Sequence, residues 1–295
     1  MISRGTIIAA LVVVELAILG EAVVAVRGGQ TGPSWAWAVD RTVSGPHLIE
    51  GGPHQIFDAG EHPALTVDIG YADLTILTSK TARIDVSLSA SSDFVFFGTS
   101  VPIAARDDDG TIRIARIRSA RWSTGDDRMV TVLVPPNTQV TVVNAGDIKA
   151  DGLRADGSFN SIGRGSVTIE DYDAPTLRAT SRGPITLHQV VAPRLDATSK
   201  DDGVEGTALQ VRDGTIESDD RVTLGFVPGA DTLITAETKD GKVNVSGFDA
   251  DASVANDRKK DDDDDSSLQT VRVGGGEGRL YVRSSDGNID LAKEG

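Results

Sequence analysis

Cysteine is absent from this 295-residue chain, so disulfides, thiolate nucleophiles and thiolate zinc sites are excluded. The absence agrees with an exported bacterial protein. Aromatic residues make up 4% of the chain, too few large side chains for a broad globular core. Basic residues are in deficit, 29 Lys and Arg against 44 Asp and Glu, for a formal net charge of −15. Phosphate recognition needs clustered cations, so this balance argues against nucleic acid as a partner. The same deficit speaks against adsorption to an anionic membrane surface. After Val26 no useful stretch has helical periodicity. What is plentiful is glycine, 32 residues, together with Val, Ile and Thr. That mixture suits short strands joined by tight turns.

The N-terminus is the one long apolar run. Ile7 to Val26 reads IIAALVVVELAILGEAVVAV, long enough to cross a bilayer as a helix. Arg4 precedes it, which places the N-terminus in the cytoplasm and the remainder outside. Glu15 falls mid-span at a cost of roughly 2.5–3.5 kcal/mol. A cleaved signal peptide ending near Val23-Val24-Ala25 is the competing reading. Residues 1–26 are therefore expected to be a signal anchor or signal peptide, and either one exports the rest of the chain. Residues 27–63, rich in Gly and Pro, read as a juxtamembrane linker. Trp35 and Trp37 within it are placed either at the bilayer interface or in a docked strand.

From Ala64 onward short alternating segments follow one another. A unit of turn, Gly, any residue, apolar, polar, apolar recurs at Gly146-Asp-Ile148, Gly165-Ser-Val167, Gly183-Pro-Ile185, Gly214-Thr-Ile216, Gly241-Lys-Val243 and Gly287-Asn-Ile289. A second strand lies between the early copies, and the pair repeats with an 18-residue step. Phe159, Leu177 and Leu195 fall one step apart, as do Arg164, Arg182 and Lys200. One coil cannot bury its apolar row alone, whereas stacked coils can. The expected fold is all-β: a β-solenoid of about 18 residues per coil over residues 64–295, preceded by the N-terminal helix. Stacking predicts an inner column of Phe159, Leu177 and Leu195, with Thr180 over Thr198 and Ser181 over Ser199. An antiparallel meander or sandwich is the alternative. After Lys200 the longer turn Asp201-Asp202-Gly203 breaks the register.

Chemistry-bearing groups are sparse. Residues 256–267, NDRKKDDDDDSS, read as a solvated acidic loop without the ligand spacing of a calcium site. His47, His54 and His62 have no fixed element to hold a metal, and His188 reads as a surface residue. Asp201-Asp202 and Asp219-Asp220 read as turn residues rather than paired acid/base carboxylates. Gly274-Gly275-Gly276-Glu277-Gly278 lacks the Lys-Ser/Thr of a phosphate loop. No catalytic, cofactor or metal residue is expected. The surface feature singled out is the column Arg164, Arg182, Lys200, a candidate stripe for an anionic envelope polymer.

VTVLVPPNTQVTVVNAGDIKADGL, the repeated S-x-G-x-[IV]-x-[LIV] units and the closing VGGGEGRLYVRSSDGNIDL resemble the bacterial putative-adhesin, DUF4097-type β-strand repeat family, over roughly Ala64 to Leu291. The resemblance implies a β-solenoid envelope protein and brings no catalytic residues. The expected function is a non-catalytic, adhesin-like scaffold or interaction module, membrane-anchored, with its β domain extracytoplasmic. The alternative is an envelope-stress sensor acting through a membrane partner, since Met1 to Gly5 is too short to signal alone. A solenoid carbohydrate enzyme is disfavoured.

Overall fold

The computed structural model describes residues 54–70, 72–90, 102–107, 109–116, 128–154, 158–248, 253–257 and 267–294. The apolar N-terminal segment, Trp35, Trp37 and His47 lie outside these residues. Among the described residues every regular element is a strand, and no helix is long and apolar enough to cross a membrane.

The strands in chain order begin with β1 (His54–Asp58), β2 (Ala64–Asp68), β3 (Asp73–Thr78), β4 (Arg83–Ala90), β5 (Pro102–Arg106), β6 (Ile112–Arg116) and β7 (Arg128–Val134). Then come β8 (Gln139–Ala145), β9 (Ile148–Asp151), β10 (Ser158–Gly163), β11 (Val167–Asp173), β12 (Thr176–Ser181), β13 (Ile185–Ser199) and β14 (Val204–Ser218). The last are β15 (Val222–Phe226), β16 (Thr232–Thr238), β17 (Val243–Ser246), β18 (Ser253–Asp257), β19 (Ser267–Val273), β20 (Gly278–Ser284) and β21 (Ile289–Lys293). Among the described residues the sheet starts at His54, inside the segment expected to be linker. Asn256 and Asp257, expected in the acidic loop, belong to β18, which pairs antiparallel with β19; residues 258–266 lie outside the described set.

All of these strands belong to one 21-stranded sheet. Its pairings form two ladders. One runs β5, β6, β2, β8, β10, β12, the second half of β13, the second half of β14, β20, β16, β19, β18. The other runs β1, β4, β7, β3, β9, β11, the first half of β13, the first half of β14, β15, β21, β17. Antiparallel pairing is confined to the two ends, so the antiparallel alternative fails for the middle. β13 and β14 pass from one ladder into the other, and the sheet wraps nearly around a single core, barrel-like in section.

The predicted step is present where it was read. Ser158 pairs with Thr176 and Thr176 with Arg194, a step of 18. Phe159, Leu177 and Leu195 stack as one buried column, and Thr180 lies beside Thr198 and Ser181 beside Ser199. The step is 19 from Gln139 to Ser158, Ile148 to Val167 and Ile185 to Val204, and 18 again from Val167 to Ile185 and Val204 to Val222. The register therefore continues past Lys200, because the longer turn absorbs one residue and the next strand re-enters its ladder. This corrects one repeat assignment. Ile216, in the Gly214 unit, lies beside Ala197 in the first ladder, whereas Val167, Ile185 and Ile289 lie in the second. The fourth copy is Val204-Glu205-Gly206 and the fifth Val222-Thr223-Leu224. Gly206 replaces the second apolar residue of one, and Asp202 and Asp220 stand at the glycine position two residues before Val204 and Val222, which hid both.

Alternation within strands puts the apolar side chains of both ladders into one continuous core, from Phe57 to Leu291. Between the ladders the chain must bend without losing that alternation. It does so at a stacked corner of left-handed residues: Gly152 (φ +82°), Asp171 (+49°), Gln189 (+53°) and Ala208 (+54°). At Asp171, Gln189 and Ala208 the left-handed residue sets two consecutive residues outward, as at His188 and Gln189, and the next residue points back in. Leu153, Tyr172, Val190 and Leu209 follow the four corners and are all buried.

Chain order and spatial order separate at both ends, so the stack is not a simple coil in sequence. At the N-terminal end β2 and β3 sit between β6–β7 and β8–β9. At the C-terminal end β20 and β21 sit between β14–β15 and β16–β17. Glu294 ties this inserted coil down: the Ala208 N–H donates to its carboxylate (3.0 Å) and its own N–H to the Phe226 carbonyl (2.8 Å).

A buried hydroxyl column staples neighbouring coils. Ser181 donates to the Gly165 carbonyl, Ser199 to Gly183 (2.9 Å), Ser218 to Asp202 (2.6 Å), Ser284 to Asp220 (2.8 Å) and Thr238 to Gly287 (2.8 Å). Ser161 is equally buried but its hydroxyl has no partner. Ser199→Ala should therefore cost about 1–3 kcal/mol by orphaning a carbonyl, whereas Ser161→Ala should gain about 1 kcal/mol. Urea unfolding of the two variants checks this, and shifts of the same sign would contradict it. Ala208→Gly should gain about 0.5–1 kcal/mol by relieving the left-handed backbone, read in the same melts.

Candidate functional site: the charged turn edge

Where the first ladder hands the chain to the second, short turns stack along one edge. The turn following β8 is rung 1, and those following β10, β12, β13, β14, β20 and β16 are rungs 2 to 7. Backbone bonds hold each on the next: Arg164 N–H to Ala145 O (3.1 Å), Lys200 N–H to Ser181 O (3.0 Å), Ser285 N–H to Ser218 O (3.0 Å) and Lys239 N–H to Ser284 O (3.2 Å). The backbones approach so closely that a Cβ on Gly183 would stand 2.9 Å from the Gly165 carbonyl carbon and oxygen. This approach is why glycine punctuates the repeat.

The strand register carries Arg164, Arg182 and Lys200 onto successive rungs, and all three are exposed. Adjacent strands lie about 4.8 Å apart, so the predicted column is a continuous stripe. Its flanks were not foreseen. Rung 1 presents Asp147, whose carboxylate accepts the Ser166 N–H (2.6 Å). Rung 4 adds Asp201 beside Lys200, rung 5 presents Asp219 and Asp220, rung 6 Asp286, and rung 7 Lys239, Asp240 and Lys242. The stripe is one segment of a charge pattern that changes sign along the edge.

The other candidates disperse. His54 bonds the Asp85 carboxylate (2.6 Å), His188 bonds Thr207 Oγ1 (2.7 Å) and His62 is exposed. Among the described residues no group of three or more His, Asp or Glu is arranged to hold a metal. Asp201, Asp202, Asp219 and Asp220 stand on the turn edge, Asp201, Asp219 and Asp220 exposed and Asp202 half-buried. In the glycine-rich turn before β20 the Glu277 N–H donates to the Asp231 carboxylate (3.2 Å), so an anion of the chain itself occupies that amide.

One polar cluster was missed altogether. Asp290 of the inserted coil accepts two bonds from Arg221 (2.8 and 2.6 Å) on one oxygen and one from Asn244 (2.7 Å) on the other. Burial works against its charge, but the Asn244 amide and the Arg221 guanidinium outweigh this and hold its carboxyl below the ordinary value. Tyr281 of the same coil donates to Glu237; burial and that carboxylate push its hydroxyl up to about 12. Partners 69 and 46 residues away leave no local signal in the chain.

No protein-family model matches the chain, and no curated protein matches it in sequence. Among solved structures it is similar to a putative cell adhesion protein from Clostridium sporogenes, with 11% identity, TM-score 0.34, and 82% of this chain and 99% of that one covered. It is similar to a putative adhesin from Bacteroides fragilis, with 14% identity, TM-score 0.41, and 82% and 96% covered. A putative lipid binding protein from Parabacteroides distasonis shows 12% identity, TM-score 0.33, and 82% and 96% covered. Likenesses of this degree carry no argument about what this chain binds.

A depressed carboxyl stabilises the fold above its unfolded value, near pH 4, and that stabilisation is lost as pH falls. Asp290→Asn should therefore lower the melting temperature at pH 7, and the gap to the parent chain should close as the pH falls below about 4. A gap independent of pH would contradict the assignment.

Proposed function

We propose that this chain is a non-catalytic, adhesin-like scaffold of the cell envelope, a β-solenoid-type stack held at the membrane by residues 7–26. The observation that carries the reading is the filled interior. Apolar side chains occupy the core from Phe57 to Leu291, so any ligand meets the outside of the stack. Enzymes and small-ligand carriers place convergent polar groups in a concave site. On the sheet faces several outward charges are paired with one another, as in Arg178 and Arg194 on Asp196 (3.3 and 3.0 Å) and Lys149 on Glu170 (2.8 Å). The turn edge is the contact surface in this reading. Its Arg164–Arg182–Lys200 segment fits an anionic envelope polymer over three rungs, bounded by Asp147 on one side and by Asp219 and Asp220 on the other.

Fractionation of cells expressing the full chain tests the placement. The chain should sediment with membranes, resist salt extraction, and become protease-sensitive once the outer side is opened. Recovery in the cytosol, or protection from external protease, would overturn the reading.

A further inference from the structure

The column of buried hydroxyls meets one chemically distinct peptide. Along the turn edge these hydroxyls donate to the carbonyls of Gly165, Gly183, Asp202, Asp220 and Gly287. Of these carbonyls, that of Asp202 alone belongs to an Asp–Gly peptide, on rung 4. There the side chain turns back on its own main chain, and the Gly203 N–H donates to Asp202 Oδ1 (2.8 Å). The carboxyl carbon lies one bond beyond that oxygen, so it stands roughly 3–3.6 Å from the nitrogen, close to the separation of a near-attack conformer. Glycine at the second position leaves that nitrogen unshielded by a Cβ.

Ser218 completes the arrangement. Its hydroxyl donates to the Asp202 carbonyl oxygen (2.6 Å), and its own oxygen accepts the Asp220 N–H (3.2 Å). A donor on an amide oxygen stabilises the iminolate form, which makes the amide N–H more acidic and its nitrogen a better nucleophile. We infer that Asp202–Gly203 is a self-modification site, where Ser218 promotes closure to a succinimide and opening to isoaspartate. The Gly203 nitrogen attacks the neutral Asp202 carboxyl carbon. The N–C bond forms, the C–OH bond breaks, and the hydroxyl leaves as water with the proton released by the nitrogen. Water then adds to the ring. Addition at the main-chain carbonyl breaks its bond to the nitrogen and leaves the chain running through the side-chain carbonyl. Addition at the other carbonyl regenerates aspartate. The water lost on closure is regained on opening, so the step needs no other reactant.

Other Asp–Gly pairs are held differently. The Asp109 carboxylate accepts the Thr111 N–H (2.9 Å), and that of Asp213 accepts the Arg279 N–H (2.9 Å). Among the described residues Asp202 is the Asp–Gly aspartate whose carboxylate is bonded to the next amide. The product would lengthen the main chain by one methylene inside a turn pinned at both ends. The Asp201 N–H is held by the Arg182 carbonyl (3.0 Å) and the Val204 N–H by the Arg221 carbonyl (3.0 Å). The added carbon must therefore be absorbed within rung 4, beside Lys200 and Asp201 on the exposed edge.

The purified full-length chain is held in mildly acidic buffer, which keeps part of the carboxyl neutral, with and without unfolding urea. Peptides from a later digest are scored for isoaspartate by electron-transfer fragmentation. Folding should leave Asp202 at least as reactive as in urea. Asp213 and Asp286 should react about tenfold more slowly when folded, because they depend on local opening. This comparison needs no variant. Asp202→Glu should give no modified residue at this position, since closure through one more carbon is slow. Ser218→Ala should slow the folded reaction at Asp202 about five- to tenfold and leave the rate in urea unchanged. Retardation of Asp202 by folding as large as that of Asp213 and Asp286 would overturn the inference. So would equal folded rates in Ser218→Ala and the parent chain. Neither rate depends on membrane fractionation, so the scaffold reading stands or falls separately.

Discussion

Parallel pairing of one coil directly upon the next is the constraint from which the rest of this molecule follows. A parallel ladder places equivalent residues one above another, so each position along the coil becomes a column. An apolar position becomes an inner wall, as with Phe159, Leu177 and Leu195. A hydroxyl at a strand end becomes a series of staples, each closing on the carbonyl of a neighbouring turn. A glycine in the turn becomes a line of close backbone approach. A charge becomes a stripe. The scarcity of aromatic residues is a consequence too, because columns of Val, Ile, Leu and Ala fill a narrow interior whose width is set by two ladders.

Stacking leaves two problems, and both are solved by backbone. The chain must turn between ladders without losing its inward alternation, and a left-handed residue at the same place in successive coils achieves this. Asp171, Gln189 and Ala208 accept that conformation against their ordinary preference because the coil beneath has already fixed the bend. The ends must also be closed. The chain brings its last complete coil back between two earlier ones, and it does the corresponding thing near its start. At the N-terminal end β1 and β5 are joined by the Ala104 N–H on Gln55 (3.2 Å) and by Arg106 on the Asp58 carbonyl. The inserted C-terminal coil is tied in by polar bonds of Asp290, Tyr281, Ser284 and Glu294. A coil that arrives late in synthesis and must enter between formed neighbours raises the contact order, which slows folding.

Function in such a molecule is displayed on the outside. Sheet faces carry Thr, Asn and paired charges, whereas the turn edge carries charges in a fixed order at a fixed spacing. The backbone of that edge is hydrogen-bonded rung to rung, which fixes the order and spacing of the residues that carry its charges.

The sequence by itself determined the class, the absence of thiol chemistry, the 18-residue step and the columns within three coils. These are local or periodic properties, and a period is visible whenever the same spacing recurs several times. Arg164, Arg182 and Lys200 were legible as a stripe for that reason. The tertiary structure decided what periodicity cannot encode. An extra residue in the turn after Ser199 shifts every later position, so Val204 and Val222 were lost from the repeat series although their backbones continue it. The insertion of β20 and β21 depends on partners far away in the chain, and nothing local in SSDGNIDL announces them. The acidic rungs beside the basic stripe come from separate turns, and insertion of the last coil brings Asp286 between Asp220 and Asp240. A charge pattern across rungs exists only once the order of the rungs is known, and long-range pairing alone sets that order.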